Sequence, residues 1–132
     1  MAATIKKQIN LRRAAEDPST YTISWHKDWT LGATLHGGCI TAALHHAAVT
    51  HLTTDPQLAP RNQPDILKLH VEFLAPCEAR DSTIKITVLR TGSAASTLQL
   101  DLYQSTTRKC LALATSTNFD QALGPSVPTS CL

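Results

Sequence analysis

No single chemistry dominates this sequence. Twelve Lys and Arg stand against ten Asp and Glu in 132 residues, a formal net charge of +2, and the basic residues are scattered rather than striped. That distribution excludes the electrostatic footprint of a nucleic-acid partner. Only Lys6, Lys7, Arg12 and Arg13 gather, and near the N-terminus they read as a solvated arm. No apolar run approaches the length that spans a bilayer and no secretory h-region opens the chain, so no membrane partner is expected. Four cysteines (Cys39, Cys77, Cys110 and Cys131) form no CxxC pair and no zinc-ligand spacing. Free thiols in a reducing, cytoplasmic compartment are the expectation. Met1 to Ala15 is basic and acid-free as transit peptides are, yet short and poor in serine. Ser130-Cys131-Leu132 has the outline of a peroxisomal tripeptide without its central basic residue. The six histidines make no i, i+4 pair on the expected helix, so no metal is expected, and no cofactor either. There is no internal repeat and no low-complexity segment.

What is present is the composition of one globular domain. Hydrophobic residues make up 42% and charged ones 17%. A chain of this length buries roughly two thirds of its extended surface without a covalent staple. Tyr21-Thr22-Ile23-Ser24-Trp25 alternates with aromatic and β-branched residues, which predicts a strand. Trp25 to Leu35 reads as a loop with Asp28 and Gly32 as turn formers. Gly38 to Thr53 reads as the one substantial helix. Steps of 100° put Ile40, Ala43, Leu44, Ala47, Ala48 and His51 on a single packed face. His51 is therefore expected to be a satisfied core histidine.

Thr54 to Pro64, with three prolines, predicts a loop. Four strands follow. Ile66 to Leu74 alternates Leu67, Leu69, Val71 and Phe73 against Lys68, His70 and Glu72. Thr83 to Leu89 alternates through Ile84, Ile86 and Val88, then turns at Arg90-Thr91-Gly92-Ser93. Thr97 to Gln104 alternates through Leu98, Leu100 and Leu102, and Lys109 to Phe119 completes the set. Asp65, Glu72 and Asp101 fall in or beside strands, where salt links or solvent account for them. Strand, Ala-rich helix and four antiparallel strands predict an α+β domain, its helix wrapped by one curved sheet of about five to six strands. The expected boundaries are an arm over 1–19, the domain over 20–119 and a flexible tail over 120–132.

The segment Leu35-His36-Gly37-Gly38-Cys39 runs directly into the helix. Two glycines there are expected to turn the backbone tightly and to leave N–H groups bare. The first four helical amides have no intrahelical partner, and the macrodipole adds partial positive charge. Such an end can hold an anion or polarise a carbonyl oxygen.

His36-Gly37-Gly38 at the helix start is followed by Val71-Glu72-Phe73-Leu74-Ala75-Pro76 at a strand end. Leu89-Arg90-Thr91-Gly92 then marks a turn, and Ala114-Thr115-Ser116-Thr117-Asn118-Phe119 closes the last strand. In these four stretches the chain resembles the hot-dog superfamily of acyl-CoA thioesterases over residues 20–119. It is similar to the phenylacetyl-CoA-thioesterase-like branch of single hot-dogs. It is also similar to the N-terminal half of the double hot-dog acyl-CoA thioesterase II type. Trp29 to His46, with Phe73-Leu74 and Ser96-Thr97-Leu98-Gln99-Leu100, favours the second. In that branch the catalytic residues lie in the C-terminal hot-dog, outside these residues. The resemblance implies a hot-dog fold that pairs sheets edge to edge in a homodimer or homotetramer, or joins a second hot-dog subunit. It also implies an acyl-CoA or acyl-carrier-protein thioester held at that interface, beside the helix N-terminus.

The resemblance assigns the oxyanion donors to the amides around Gly38 and Cys39. Single-domain members carry an Asp or Glu seven residues after the second glycine, where this chain has His45. A neutral imidazole there is suited to general base catalysis. Equally, His45 and His46 fit as polar interface residues. The expected catalytic set is His45, Gly38, Cys39 and Asp28. The expected substrate-binding set is His36, Gly37, Trp29 and His46. For Cys39 two roles stand open, a nucleophile acidified by the helix dipole or a small buried residue. Asp28 is either an acid for the site or a turn residue, and His36 either caps the loop or touches the thioester. Three functions follow: an acyl thioester hydrolase, a non-catalytic or partner-dependent acyl-binding subunit, or a same-fold enzyme of dehydration or cyclisation.

Overall fold

The structure, a computed structural model, describes residues 9–121. Strands β1 (Asn10–Arg13) and β2 (Thr20–Ser24) lead through a 3-10 turn (Lys27–Trp29) into a small hairpin, β3 (Thr30–Leu31) and β4 (Thr34–Leu35). Helix α1 (Gly37–Thr54) follows. A second 3-10 turn (Ala59–Arg61) leads to β5 (Asp65–Phe73), β6 (Ser82–Arg90), β7 (Ser96–Gln104) and β8 (Thr107–Thr117). One antiparallel sheet has the order β1-β2-β6-β7-β8-β5, so β1 and β5 are its edges. With one helix against six antiparallel strands, this is the α+β domain that the sequence predicts, in the hot-dog arrangement that the resemblance implies.

The helix packs where its period puts it. Ile40, Ala43, Leu44, Ala47, Ala48 and His51 are all buried, joined by Cys39 and Leu52. Small residues let helix and sheet approach closely, because Ala43, Ala47 and Ala48 share a core with Ala112 and Ala114 of β8. Ile84, Ile86, Leu98, Leu100 and Leu102 fill the rest. Close packing of this kind makes the core sensitive to volume changes of even a methylene.

His51 is a satisfied core histidine. Arg13 Nη2 donates to the Tyr21 hydroxyl at 2.6 Å, leaving the phenolic O–H to donate to His51 Nδ1 at 3.0 Å. His51 Nε2 then faces Asp55 Oδ1 at 4.0 Å. This chain of contacts ties β1 and β2 to the last turn of α1.

Several local expectations are corrected. Part of the segment read as an arm is strand β1, paired with β2 from Asn10↔Ser24 to Arg13↔Tyr21, and Ile9 beside it is buried. Four residues rich in charge carry too short an alternation to announce a strand. The loop at 25–35 contains the β3–β4 hairpin, turned at Gly32 with φ 67°. In β5, Leu67 is 62% exposed because a register shift between Ile66 and Lys68 makes it the unpaired residue of a bulge. Val88 is also exposed, where β6 loses its register between Val88 and Arg90. Asp101, by contrast, carries the salt link allowed for it, in a buried setting: Arg108 Nε lies 3.2 Å from Oδ1, and Gln99 Nε2 donates to Oδ2 at 3.0 Å. Residues 122–132, most of the expected tail, lie outside the described residues, as do Lys6, Lys7 and the terminal tripeptide.

Candidate functional site

The first turn of α1 is built around His36. Its backbone is extended (φ −77°, ψ 152°) and its side chain caps the helix, Nδ1 accepting the Cys39 N–H at 3.2 Å. Because Nδ1 is the acceptor, the neutral ring carries its proton on Nε2. The Ile40 N–H reaches the His36 carbonyl at 3.5 Å, the first bond of the helix. Among the described residues the amides of Gly37 and Gly38 have no acceptor. These two N–H groups are therefore the unoccupied donors at the positive end of the macrodipole.

The glycines are required for space rather than for a turn. Among the described glycines only Gly32 has a positive φ. A Cβ on Gly38 would lie 3.2 Å from His36 Nδ1 and 3.3 Å from Cε1, against the capping ring itself. A Cβ on Gly37 would lie 3.2 Å from the tip of the Phe73 ring. The tight backbone turn expected of the pair is replaced by close approach of two rings.

Neighbouring carbonyls hold this end in place. Trp29 O accepts the His36 N–H at 3.3 Å, and Cys77 O accepts the Leu35 N–H at 2.8 Å. The Trp29 residue also lines a cavity of about 370 Å³ with His36, Gly38, Cys39 and Ala42. On the outward side of α1 a second, mainly apolar groove of about 500 Å³ runs past Gly38, Ala42, His45, His46 and Val49, walled by Ile9 and Leu69. Gly38 thus borders both spaces.

The expected site residues separate into groups. His36, Gly37, Gly38, Trp29 and Cys39 meet at the helix start. His45 and His46 line the outward groove, His45 exposed and His46 half-buried. Gly38 and His45 are seven residues apart, about 10 Å along the axis. Asp28 stands apart from this cluster in the preceding 3-10 turn, its carboxylate 3.4 Å from His26 Nδ1 and 73% exposed. That is the arrangement of a turn residue.

Cys39 is buried, in keeping with the second of its two open roles. Burial pushes its thiol up, outweighing the nearby backbone amides that pull it down. Its Sγ donates to the His36 carbonyl at 3.0 Å. The dipole therefore does not acidify this thiol, and its amide is engaged by the cap. Ile9, Leu69 and Phe73 were not singled out as site residues from the sequence. Phe73 carried a signal, because it lies in Val71-Glu72-Phe73-Leu74-Ala75-Pro76, whereas Ile9 reaches the groove only through sheet pairing. Among the described residues no three His, Cys, Asp or Glu side chains gather as metal ligands. No helix among them is long and apolar enough to cross a membrane.

The chain is similar to known proteins in sequence and in fold. A family model described as the acyl-CoA thioesterase N-terminal domain matches residues 25–119. The thioesterase-like protein TwmA of Talaromyces wortmannii is 30% identical over 126 residues, covering 86% of this chain and 34% of TwmA. A protein described as a thioesterase II from Thermobifida fusca superposes with a TM-score of 0.76 at 16% identity, over 95% of this chain and 42% of its own. Zebrafish thioesterase superfamily member 2 superposes with a TM-score of 0.70 at 16% identity, over 89% of this chain and 86% of its own. The chain thus spans about a third of the curated relative and less than half of the Thermobifida protein.

Proposed function

Since the chain belongs to the acyl-CoA thioesterase N-terminal domain family, we propose that it acts on an acyl thioester whose carbonyl oxygen sits at the start of α1. The observation that carries this reading is the pair of amides at Gly37 and Gly38 that no group among the described residues accepts. Fixed donors aimed at a developing oxyanion contribute about 3 kcal/mol each in transition-state stabilisation. The tautomer that caps the helix gives His36 an Nε2–H as a further donor beside them. Trp29 and Ala42 supply apolar walls for the acyl group.

In hydrolysis, the thioester oxygen accepts from the Gly38 N–H and His36 Nε2–H. His45 takes a proton from water as the water oxygen bonds to the carbonyl carbon. The tetrahedral intermediate then expels the thiolate, which recovers that proton from His45, and the C–S bond is broken. The axial separation of Gly38 and His45 fits a base acting through water or brought across by a second copy. The thiol carrier is coenzyme A or an acyl carrier protein, and the assembly is a homodimer or homotetramer.

A second reading is a subunit that binds acyl groups and depends on a partner hot-dog for catalysis. It is favoured by His45 standing where single-domain members carry an acid, and by the short share of TwmA that the chain covers. Incubating the purified chain with a panel of acyl-CoAs and following free thiol separates the two. Turnover lost in Gly38→Val supports the hydrolase. Binding without turnover, restored by a second hot-dog, supports the partner-dependent subunit.

A further inference from the structure

We propose that β1 is a movable lip of the groove along α1, latched by Arg13 and released when His51 takes up a proton. The device requires no thioester chemistry and acts whatever fills the groove. β1 and β5 are the two edges of the sheet. Ile9, beside β1, and Leu69, of β5, line the same groove with the outward face of α1. The groove is therefore the seam where the sheet does not close over the helix, and β1 forms one side of it.

This side is lightly held. β1 has four residues and pairs with β2 alone, from Asn10↔Ser24 to Arg13↔Tyr21. Asn10, Arg12 and Arg13 are exposed and Leu11 is half-buried, which leaves Ile9 as the main apolar anchor. Short edge elements with few buried contacts open at free energies below that of global unfolding. The polar anchor is Arg13. Its Nη2 donates to the Tyr21 hydroxyl at 2.6 Å and to the Thr54 hydroxyl at 2.7 Å, and its guanidinium carbon stands 5.2 Å from the centre of the Tyr21 ring. The Tyr21 O–H in turn donates to His51 Nδ1 at 3.0 Å, which requires that Nδ1 carry no proton.

Protonation breaks this chain at its centre. An imidazolium carries N–H on both ring nitrogens, so His51 and Arg13 would both donate toward one hydroxyl oxygen. The phenolic proton then loses its acceptor, and two cations face each other across Tyr21. Withdrawal of Arg13 relieves both, because it is exposed while Tyr21 and His51 are buried in the core. The other groups facing His51 do not cancel this. Burial holds its proton affinity down, Asp55 opposes, Arg13 reinforces, and Asp17, in the turn between β1 and β2, opposes. Asp17 is engaged by the Ser19 amide at 2.9 Å and the Thr20 hydroxyl at 2.7 Å, and Asp55 Oδ2 by the Gln57 amide at 3.1 Å. With β1 withdrawn, His51 regains proton affinity toward its ordinary 6.5. The latch is therefore closed at neutral pH, and acid favours the open lip by up to about tenfold per pH unit.

The test is hydrogen exchange of the full chain, read by peptide mass spectrometry from pH 8 to pH 5 and corrected for intrinsic exchange rates. β1 amides should be less protected than those of β7, and their protection should fall by up to about tenfold per unit on acidification below about 6.5. His51→Asn, which keeps an acceptor but does not titrate, should flatten that fall. Arg13→Met, at an exposed position, should lower β1 protection about tenfold at pH 8 while β7 stays protected. Protection of β1 that is constant with pH, that equals β7 throughout, or that keeps its slope in His51→Asn overturns the proposal. Should His51→Asn fail to fold, Arg13→Met decides, and unchanged β1 protection in that variant overturns it.

Discussion

His36 Nδ1 accepts the main-chain N–H of Cys39 at 3.2 Å, and that one bond assigns the roles at the start of α1. It withdraws Cys39 from the set of free donors, fixes the proton on Nε2, and leaves Gly37 and Gly38 as the open amides. It also explains why position 38 has no side chain, since a Cβ there would press on the capping ring.

Substitutions at His36 separate capping from catalysis. His36→Asn keeps an N-cap acceptor, whereas His36→Ala should lose about 1 kcal/mol of stability. Urea unfolding is expected to put His36→Asn near the parent and His36→Ala below it. Both should lose turnover, because neither retains the Nε2–H. Full activity in His36→Asn would remove the imidazole from the oxyanion site.

The two glycines should differ in sensitivity. Gly38→Ala forces a Cβ against the His36 ring and is expected to displace the cap and lower kcat by at least tenfold. Gly37→Ala meets the tip of Phe73, a ring that is half exposed and free to swing. Its loss should be smaller and should vanish in combination with Phe73→Ala. Equal losses at both positions would contradict the assignment.

His45 and His46 are adjacent in sequence but leave the helix on different bearings. If His45 is the general base, His45→Ala should lose about two orders of magnitude or more in kcat. His46→Ala should lose far less. If both variants keep full activity, the base lies elsewhere, and if the parent chain turns over no thioester, the partner-dependent reading stands.

His51 makes stability depend on pH. Burial lowers its affinity for a proton below the ordinary imidazole value of 6.5, with Asp55 opposing and Arg13 reinforcing. The unfolded chain therefore binds the proton more readily than the fold, so stability is full above about 6.5 and falls as pH drops through the lowered value. Urea midpoints should be constant from pH 8 to 7 and decline on acidification. Tyr21→Phe, which removes the hydroxyl donor to Nδ1, should cost about 1 kcal/mol at neutral pH. A flat midpoint down to pH 5 would contradict this account.

Self-association is expected at micromolar concentration. β5 is an open edge carrying exposed Leu67 and Phe73, followed by exposed Leu74. Sedimentation should give a dimer or larger, and Leu67→Lys should weaken it. A strictly monomeric parent would remove the edge-to-edge interface.

Local periodicity determined the helix and the last four strands of this domain. The 100° spacing from Ile40 to His51 specified which helix face is buried, and alternation in the last four strands specified the sheet. These patterns are legible because each residue's environment repeats within a few positions of itself. His36-Gly37-Gly38 likewise marked the end of the helix where the open amides lie. Tertiary structure decided what depends on distant residues. β1 exists because Asn10–Arg13 meets β2, and Leu67 is outside because β5 bulges against β8. The need for glycine at position 37 comes from Phe73, a partner 36 residues away, and not from backbone conformation. Even the Cys39 thiol, beside a helix dipole that sequence position suggests should acidify it, is governed by the surrounding core: desolvation is set by everything packed around a group, and a linear sequence does not contain that sum.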